Sequence, residues 1–296
     1  MVFFVIFWRA ILPKEFGGTK SDKLLEERNM VNVRGGLAAI AFLCLSGSAW
    51  AQAGGDLSVG RKMLLEDNPG ELWIDKGKAL FHAKRGPRKA SLEKCDFGMG
   101  PGKLEGAAAK LPRYFADVDK VQDLESRLLT CMVELQGFKR EDMIKKAISP
   151  GGSSGSDMEA LALYITSRSN GMKVDVTLSH QKEYDMYKAG EYLFFRRAGQ
   201  TDFGCVQCHG EADKRIRLQD LLHMTDKAGA QEVASTWPAY RGAHYVVRTM
   251  QWRLYDCFWQ MRLPDLAYGS DVSIALTTFL NYRGNGAVIN VPGFKR

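Results

Sequence analysis

Cysteine is scarce in this chain, with six in 296 residues, and only Cys205 and Cys208 form a C-x-x-C pair. Without a second such pair, a four-ligand zinc site is excluded. No apolar run approaches the ~20 residues of a membrane span; the stretch from Leu37 to Leu45 falls far short. Strand-type alternation is nearly absent, and the periodicity that remains is helical. No helix-turn-helix, zinc-finger or RNA-binding signature accompanies the net charge of +7, and the lysines and arginines are spread along the chain. Nucleic acid is therefore excluded as a partner, and the excess suits anionic substrates or acidic proteins. With 45% hydrophobic and 25% charged residues, this is ordinary globular composition, long enough for one large or two ordinary domains.

From Met30 the chain reads "MVNVRGGLAAIAFLCLSGSAWAQA". A basic start at Arg34, an apolar run and the small-x-small site Ala49-Trp50-Ala51 make the three-part secretory pattern. Residues 30–51 are thus expected to be a signal peptide cleaved after Ala51, delivering the protein to the periplasm without a membrane span. Residues 1–29 then have no role, and the expectation is an over-extended reading frame with Met30 as the true start. Cys44 leaves with the signal, and the odd set Cys95, Cys131, Cys205, Cys208 and Cys257 remains. An unpaired sulfur in an exported chain marks a reactive or specially employed group.

The segment "GCVQCHG", residues 204–210, has the C-x-x-C-H spacing of c-type haem attachment. Two thiols add to the two vinyl groups on one porphyrin edge, and the next residue, His209, falls under the iron. A thioredoxin-like redox pair would want a βαβ setting, and the surroundings read as helical. One covalently bound haem c is expected, held by Cys205 and Cys208 with His209 as an axial ligand.

The two halves of the chain resemble each other in three blocks and in the same order. "GKALFHAKRG…KCDFGMG" (77–100) matches "GEYLFFRRAG…GCVQCHG" (190–210), "SRLLTC" ending at Cys131 matches "WRLYDC" ending at Cys257, and "GSDMEALALYITSRSNG" matches "GSDVSIALTTFLNYRGNG". The expected fold is all-α, with two tandem cytochrome c-like domains: a degenerate one over 52–175 without haem, and a haem-bearing one over 176–296. The linker-like "SPGGSSGS" (149–156) falls inside the first unit, and the junction belongs near 172–180. Leu124, Leu128, Leu129, Met132 and Leu135, together with Val121, predict a helix over 121–136. Ser156 with Glu159 predicts a capping box opening a helix to about Arg168, with a counterpart from Asp271 to Tyr282. "AHYVVRTMQWRLYDCFWQMR" reads as one long helix closed by Pro264.

In the first half only Cys95 of the haem motif survives, with Gly98 and Met99 where Cys208 and His209 stand. The register puts Cys95 and Cys131 on one pocket, and an oxidising compartment predicts a disulfide between them; two separate buried thiols are the alternative. Cys257 is left over. Candidates for the second axial ligand are His223, His244, Met224, Met250 and Met261, as in ordinary cytochromes c, or Cys257 itself. Arg253 lies one turn before Cys257, where a guanidinium favours a thiolate and binds an oxyanion; an Arg253–Asp256 contact is the plainer reading.

"CVQCHG" (205–210) and "RLYDCFWQMR" (253–262), with the tandem halves, resemble the SoxA family, the haem subunits of thiosulfate-oxidising SoxAX cytochromes. The resemblance spans about residues 60–290, and "CDFGMG" (95–100) matches the group with one haem and a first-domain disulfide. It implies an L-cysteine S-thiosulfotransferase that joins thiosulfate to a cysteine of the carrier SoxYZ and passes electrons to SoxX, a small monohaem cytochrome c bound as partner in a heterodimer. It also implies His209 and Cys257 as axial iron ligands, Cys257 as the catalytic sulfur, often a persulfide, and Arg253 as its partner on the anion. The rival readings are a plain electron-transfer cytochrome and a haem-based sensor.

Overall fold

The computed structural model describes residues 67–148, 155–216 and 219–295. The expected signal peptide, the expected start at Met30 and residues 149–154 of the linker-like run lie outside these. Element order repeats. Helix α1 (Glu71–His82) precedes hairpin β1–β2 (Arg113–Phe115, Lys120–Gln122), then α2 (Leu124–Glu134), α3 (Arg140–Ala147) and α4 (Asp157–Ser167). Helix α5 (Gln181–Phe195) and the short α6 (Cys205–His209) then lead through β3–β4 (Arg215–Ile216, Gln219–Asp220) to α7 (Lys227–Ser235). Hairpin β5–β6 (Ala239–Arg241, Val246–Arg248), α8 (Met250–Gln260), α9 (Asp271–Arg283) and β7 (Gly293–Lys295) complete the order.

In each half the first long helix packs on the last. A Cβ at Gly77 of α1 would lie 2.1 Å from the Ala160 carbonyl oxygen of α4, and one at Gly190 of α5 would lie 2.0 Å from that of Ala275 in α9. Glycine costs ~1 kcal/mol inside a helix, and these two positions need it for backbone contact. The helix starts are written locally. Ser156 and Glu159 form the capping box of α4, Asp123 and Ser126 that of α2, and Ser270 and Thr249 cap α9 and α8 through their side chains.

Three expectations are corrected. The segment from Ala243 to Arg262 is not one helix: β6 occupies Val246–Arg248, Thr249 caps, and α8 begins at Met250. β-Branched Val246 and Val247 suit a strand, and Tyr245 at φ 55° makes the turn before them. Likewise Val121 belongs to β2, and the helix predicted over 121–136 begins at Leu124. The chain is mostly helical rather than all-α, because both halves carry an antiparallel hairpin in the same place and β7 adds to β5 in parallel. Each hairpin follows a cis X-Pro bond, Leu111–Pro112 and Trp237–Pro238, and closes on a positive-φ residue, Asp119 and Tyr245.

The described residues all belong to one compact unit. One apolar cluster surrounds Cys95 and Cys131 with Phe81, Phe97, Leu128 and Ile165. Another lies against the haem motif, with Phe194, Leu254, Leu276 and Phe279. Between them Leu163, Val174, Val176, Val247, Ile289 and Val291 form a shared layer. Segment 171–176 is laced to 285–291: Gly171 and Val174 donate to Ile289 and Ala287, and Ile289 and Gly286 donate back to Met172 and Val174. Deeper still, Arg248 of β6 pairs with Glu159 of α4 at 2.8 Å, both side chains almost fully covered.

Candidate functional site

Helix α6 starts on extended Gly204, and the one-turn spacing of Cys205 and Cys208 puts both thiols on one face. Neither is in a disulfide, and nor is Cys257. Burial pushes the Cys205 thiol up to about 12, helped by the nearby Cys257 and Cys208 sulfurs. The Cys257 thiol is raised first by burial, with Arg253 opposing and Asp256 and Cys208 adding to it. The three sulfurs, from α6 and α8, thus lie within electrostatic reach of one another, and Cys205 packs in the apolar cluster that includes Leu222, Met224, Met250 and Phe258.

His209 Nδ1 lies 2.8 Å from the Leu222 carbonyl oxygen. A carbonyl only accepts, so Nδ1 carries the proton and Nε2 keeps its lone pair. Burial is the main cause holding this imidazole below its usual pKa, which keeps it neutral. A neutral ring with a fixed tautomer beside two free thiols at i and i+3 is the donor set that haem c requires, and these residues fit it. His223, by contrast, has Nε2 at 2.7 Å from the Thr225 hydroxyl and Nδ1 at 3.3 Å from Asp226.

Arg253 shares a face of α8 with Cys257, and its Nη1 donates to Asp256 Oδ2 at 2.7 Å. Gln260 Nε2 donates to the same oxygen at 2.7 Å. The pair is part-buried, its side chains 23% and 22% exposed, so Arg253 is held in orientation by Asp256. Its electrostatic reach extends to Cys208, which it favours as the thiolate. The corresponding Arg127 is fully structural: buried, 2.7 Å from Asp117, donating to the Asp96 carbonyl at 2.6 Å and stacked on Phe115. Next to it Cys95 and Cys131 are joined in a disulfide, with Cα atoms 5.6 Å apart.

The sequence reading did not reach Arg241, Asp256 as a bridge to Gln260, or the Leu222 carbonyl. Arg241 was findable by laying the hairpins in register, where it stands in the position of Phe115. A backbone carbonyl leaves no such mark. Among the described residues no helix is long and apolar enough to cross a membrane.

Known proteins resemble the chain along most of its length. The family model "SoxA/TsdA, cytochrome c domain" matches residues 76–174. The L-cysteine S-thiosulfotransferase subunit SoxA of Hydrogenophilus thermoluteolus is 47% identical, covering 80% of this chain and 86% of that protein. A subunit of the same name from Hydrogenobacter thermophilus is 35% identical, covering 76% and 83%. The crystal structure of SoxXA from P. pantotrophus superposes with a TM-score of 0.65 over 80% of this chain and 83% of that one, at 24% identity, and so shares the fold. With near-half identity across most of its length to a SoxA subunit, the chain belongs to the SoxA family of haem c-binding cytochromes.

Proposed function

We propose that this chain is the haem-bearing subunit of an L-cysteine S-thiosulfotransferase, acting on thiosulfate and a cysteine of a SoxYZ-type carrier protein. The observation that carries the reading is the meeting of Cys257 with the attachment cysteines, beside a histidine whose Nδ1 is tied to the Leu222 carbonyl. A haem c would be held by Cys205 and Cys208, with His209 and Cys257 offered to its iron, and when bound it would supply a one-electron acceptor at the site. The outer sulfur of thiosulfate is joined to the carrier thiol as S2O3²⁻ + R–SH → R–S–S–SO3⁻ + H⁺ + 2e⁻. One S–S bond forms, the thiol loses its proton, and two electrons leave in single steps towards a SoxX-like cytochrome c.

In this reading Cys257 is the catalytic sulfur, and Arg253 stabilises its anionic form. Asp256 and Gln260 hold the α8 end of the site in place. The first half is a cytochrome c-like unit that has lost its haem. That is supported by the repeated element order, the family match over 76–174 and the Cys95–Cys131 disulfide. Packed Phe97, Leu128 and Cys131 occupy the first-half core. A periplasmic location follows from the secretory pattern at 30–51 and suits the disulfide.

Incubating the purified complex with thiosulfate, reduced carrier and oxidised cytochrome c tests this. The carrier cysteine should gain one thiosulfonate group with two electrons delivered per turnover. No mass gain on the carrier would end the reading.

A further inference from the structure

We propose that Arg241, at the end of β5, anchors the sulfonate end of thiosulfate beside Cys257 and so sets the enzyme's preference for a small oxyanion. The inference rests on the thiosulfotransferase reading and assigns a residue to its substrate site.

The cations near Cys257 differ in what they are committed to. Arg248 is buried against Glu159 at 2.8 Å. Arg253 is paired with Asp256, whose Oδ2 also accepts from Gln260. Arg241 forms no direct ion pair among the described residues, and its Nε is buried with no hydrogen-bond partner. Its guanidinium carbon lies 5.6 Å from the ring centre of Trp252, which is adjacent to Arg253 on α8 and itself covered. In the same turn, His244 packs edge-on to Trp252 at 5.1 Å, with a buried Nδ1 that is also unpartnered.

A half-buried guanidinium without a direct ion-pair partner is costly to keep, and a bound anion offsets that cost. Burial and the neighbouring charge of Arg253 push Arg241 down to about 10 against the opposing charge of Asp256, which is shared with Arg253 and Gln260, so it stays cationic at neutral pH. The Cys257 sulfur is among the charges that act on it, which puts it in electrostatic reach of the reacting sulfur. A flat five-donor fork held against an aromatic face is suited to paired hydrogen bonds with sulfonate oxygens.

The molecule contains its own control. In the hairpin of the first half, the position of Arg241 is held by Phe115, on which Arg127 stacks at 4.1 Å. Where the counterpart cysteine is closed in a disulfide, the hairpin position is an aromatic that buries the arginine. Where the cysteine is free, the position is a second, uncommitted cation.

The test uses the haem-loaded complex with Arg241→Gln and Arg241→Lys, measuring thiosulfate KM and kcat and, without carrier, thiosulfate binding by calorimetry. Arg241→Gln is expected to weaken binding and raise KM by roughly 10- to 100-fold, as for a lost charge-assisted contact. The effect should fall on KM more than kcat, with an unchanged haem spectrum, and Arg241→Lys should recover part of it. Wild-type binding and KM in Arg241→Gln would overturn the inference and leave the proposed function standing. Should Arg241→Gln fail to fold, Arg241→Lys decides: a KM raised severalfold in a folded protein supports the anchor, and a wild-type KM overturns it. A wild-type complex that neither binds nor turns over thiosulfate removes both the inference and the function beneath it.

Discussion

His209 donates its Nδ1 proton to the Leu222 carbonyl at 2.8 Å, and this contact fixes which nitrogen faces an iron. Because α6 is a single turn, the ring's orientation depends on the loop that follows β4 rather than on its own helix. Cys205→Ala with Cys208→Ala should abolish the covalent haem, while Cys95→Ala should leave it. A pyridine haemochrome assay should return one haem per chain, and two would overturn the proposal that the first half has lost its haem.

Breaking the Cys95–Cys131 bond should weaken folding and leave the haem. For a sequence separation of 36, the chain-entropy model gives ~3–4 kcal/mol as an upper guide. Denaturant unfolding of Cys95→Ser with Cys131→Ser should show a midpoint lowered accordingly with the haem absorption retained; an unchanged midpoint would mean the bond is idle.

Arg253 and Cys257 should separate spectrally. Arg253→Ala is expected to keep the low-spin haem spectrum while lowering thiosulfate conjugation by ~10²–10³-fold. Cys257→Ala should change the ferric spectrum as well, because an axial position is emptied or refilled. An unaltered spectrum in Cys257→Ala would give the distal position to another residue.

Glu125 should make stability fall with rising pH. Burial, with the neighbouring charge of Asp123, lifts its carboxyl to about 8 from 4.5, against the opposing hydrogen bonds from Tyr268, Thr249 and Gln251. The folded state therefore holds a proton that the unfolded chain releases near its ordinary pKa. Its contribution is fully present below about pH 4.5 and is lost as pH rises through about 8. Melting temperatures of Glu125→Gln should decline less across that window than those of the wild type. Parallel curves would show that Glu125 does not carry the slope.

The helix contacts at Gly77 and Gly190 should not tolerate a methyl group. Alanine at either site meets a backbone carbonyl at 2.1 or 2.0 Å, and neither helix can give way by a side-chain movement. Overpacking of this kind costs ~1–3 kcal/mol. Equilibrium unfolding of Gly77→Ala should report it, with wild-type stability counting against a duplicated helix crossing.

Much of this was legible because the signals are local. C-x-x-C-H is read within five residues, and the Ser156–Glu159 capping box is complete in the sequence. The Cys95–Cys131 partnership needed the repeat, since nothing in their separation points to it. The hairpins were not legible, because strands of three residues are too short to show alternation. Val246 and Val247 extended the apolar spacing of α8 backwards and concealed Thr249 as its cap. Arg241 acquires its setting only through tertiary contact with Trp252, across the hairpin and the helix.

The lacing of 171–176 to 285–291 has a consequence for anyone wishing to transplant the half that carries the C-x-x-C-H motif. A cut at residue 175 would strand Val174 on one piece and Ala287 on the other, opening the layer they share with Leu163 and Val247. The excised piece would carry a raw apolar seam and unpaired backbone groups along its last loop. A usable graft would have to begin upstream of Gly171, taking with it the strap that closes its own floor.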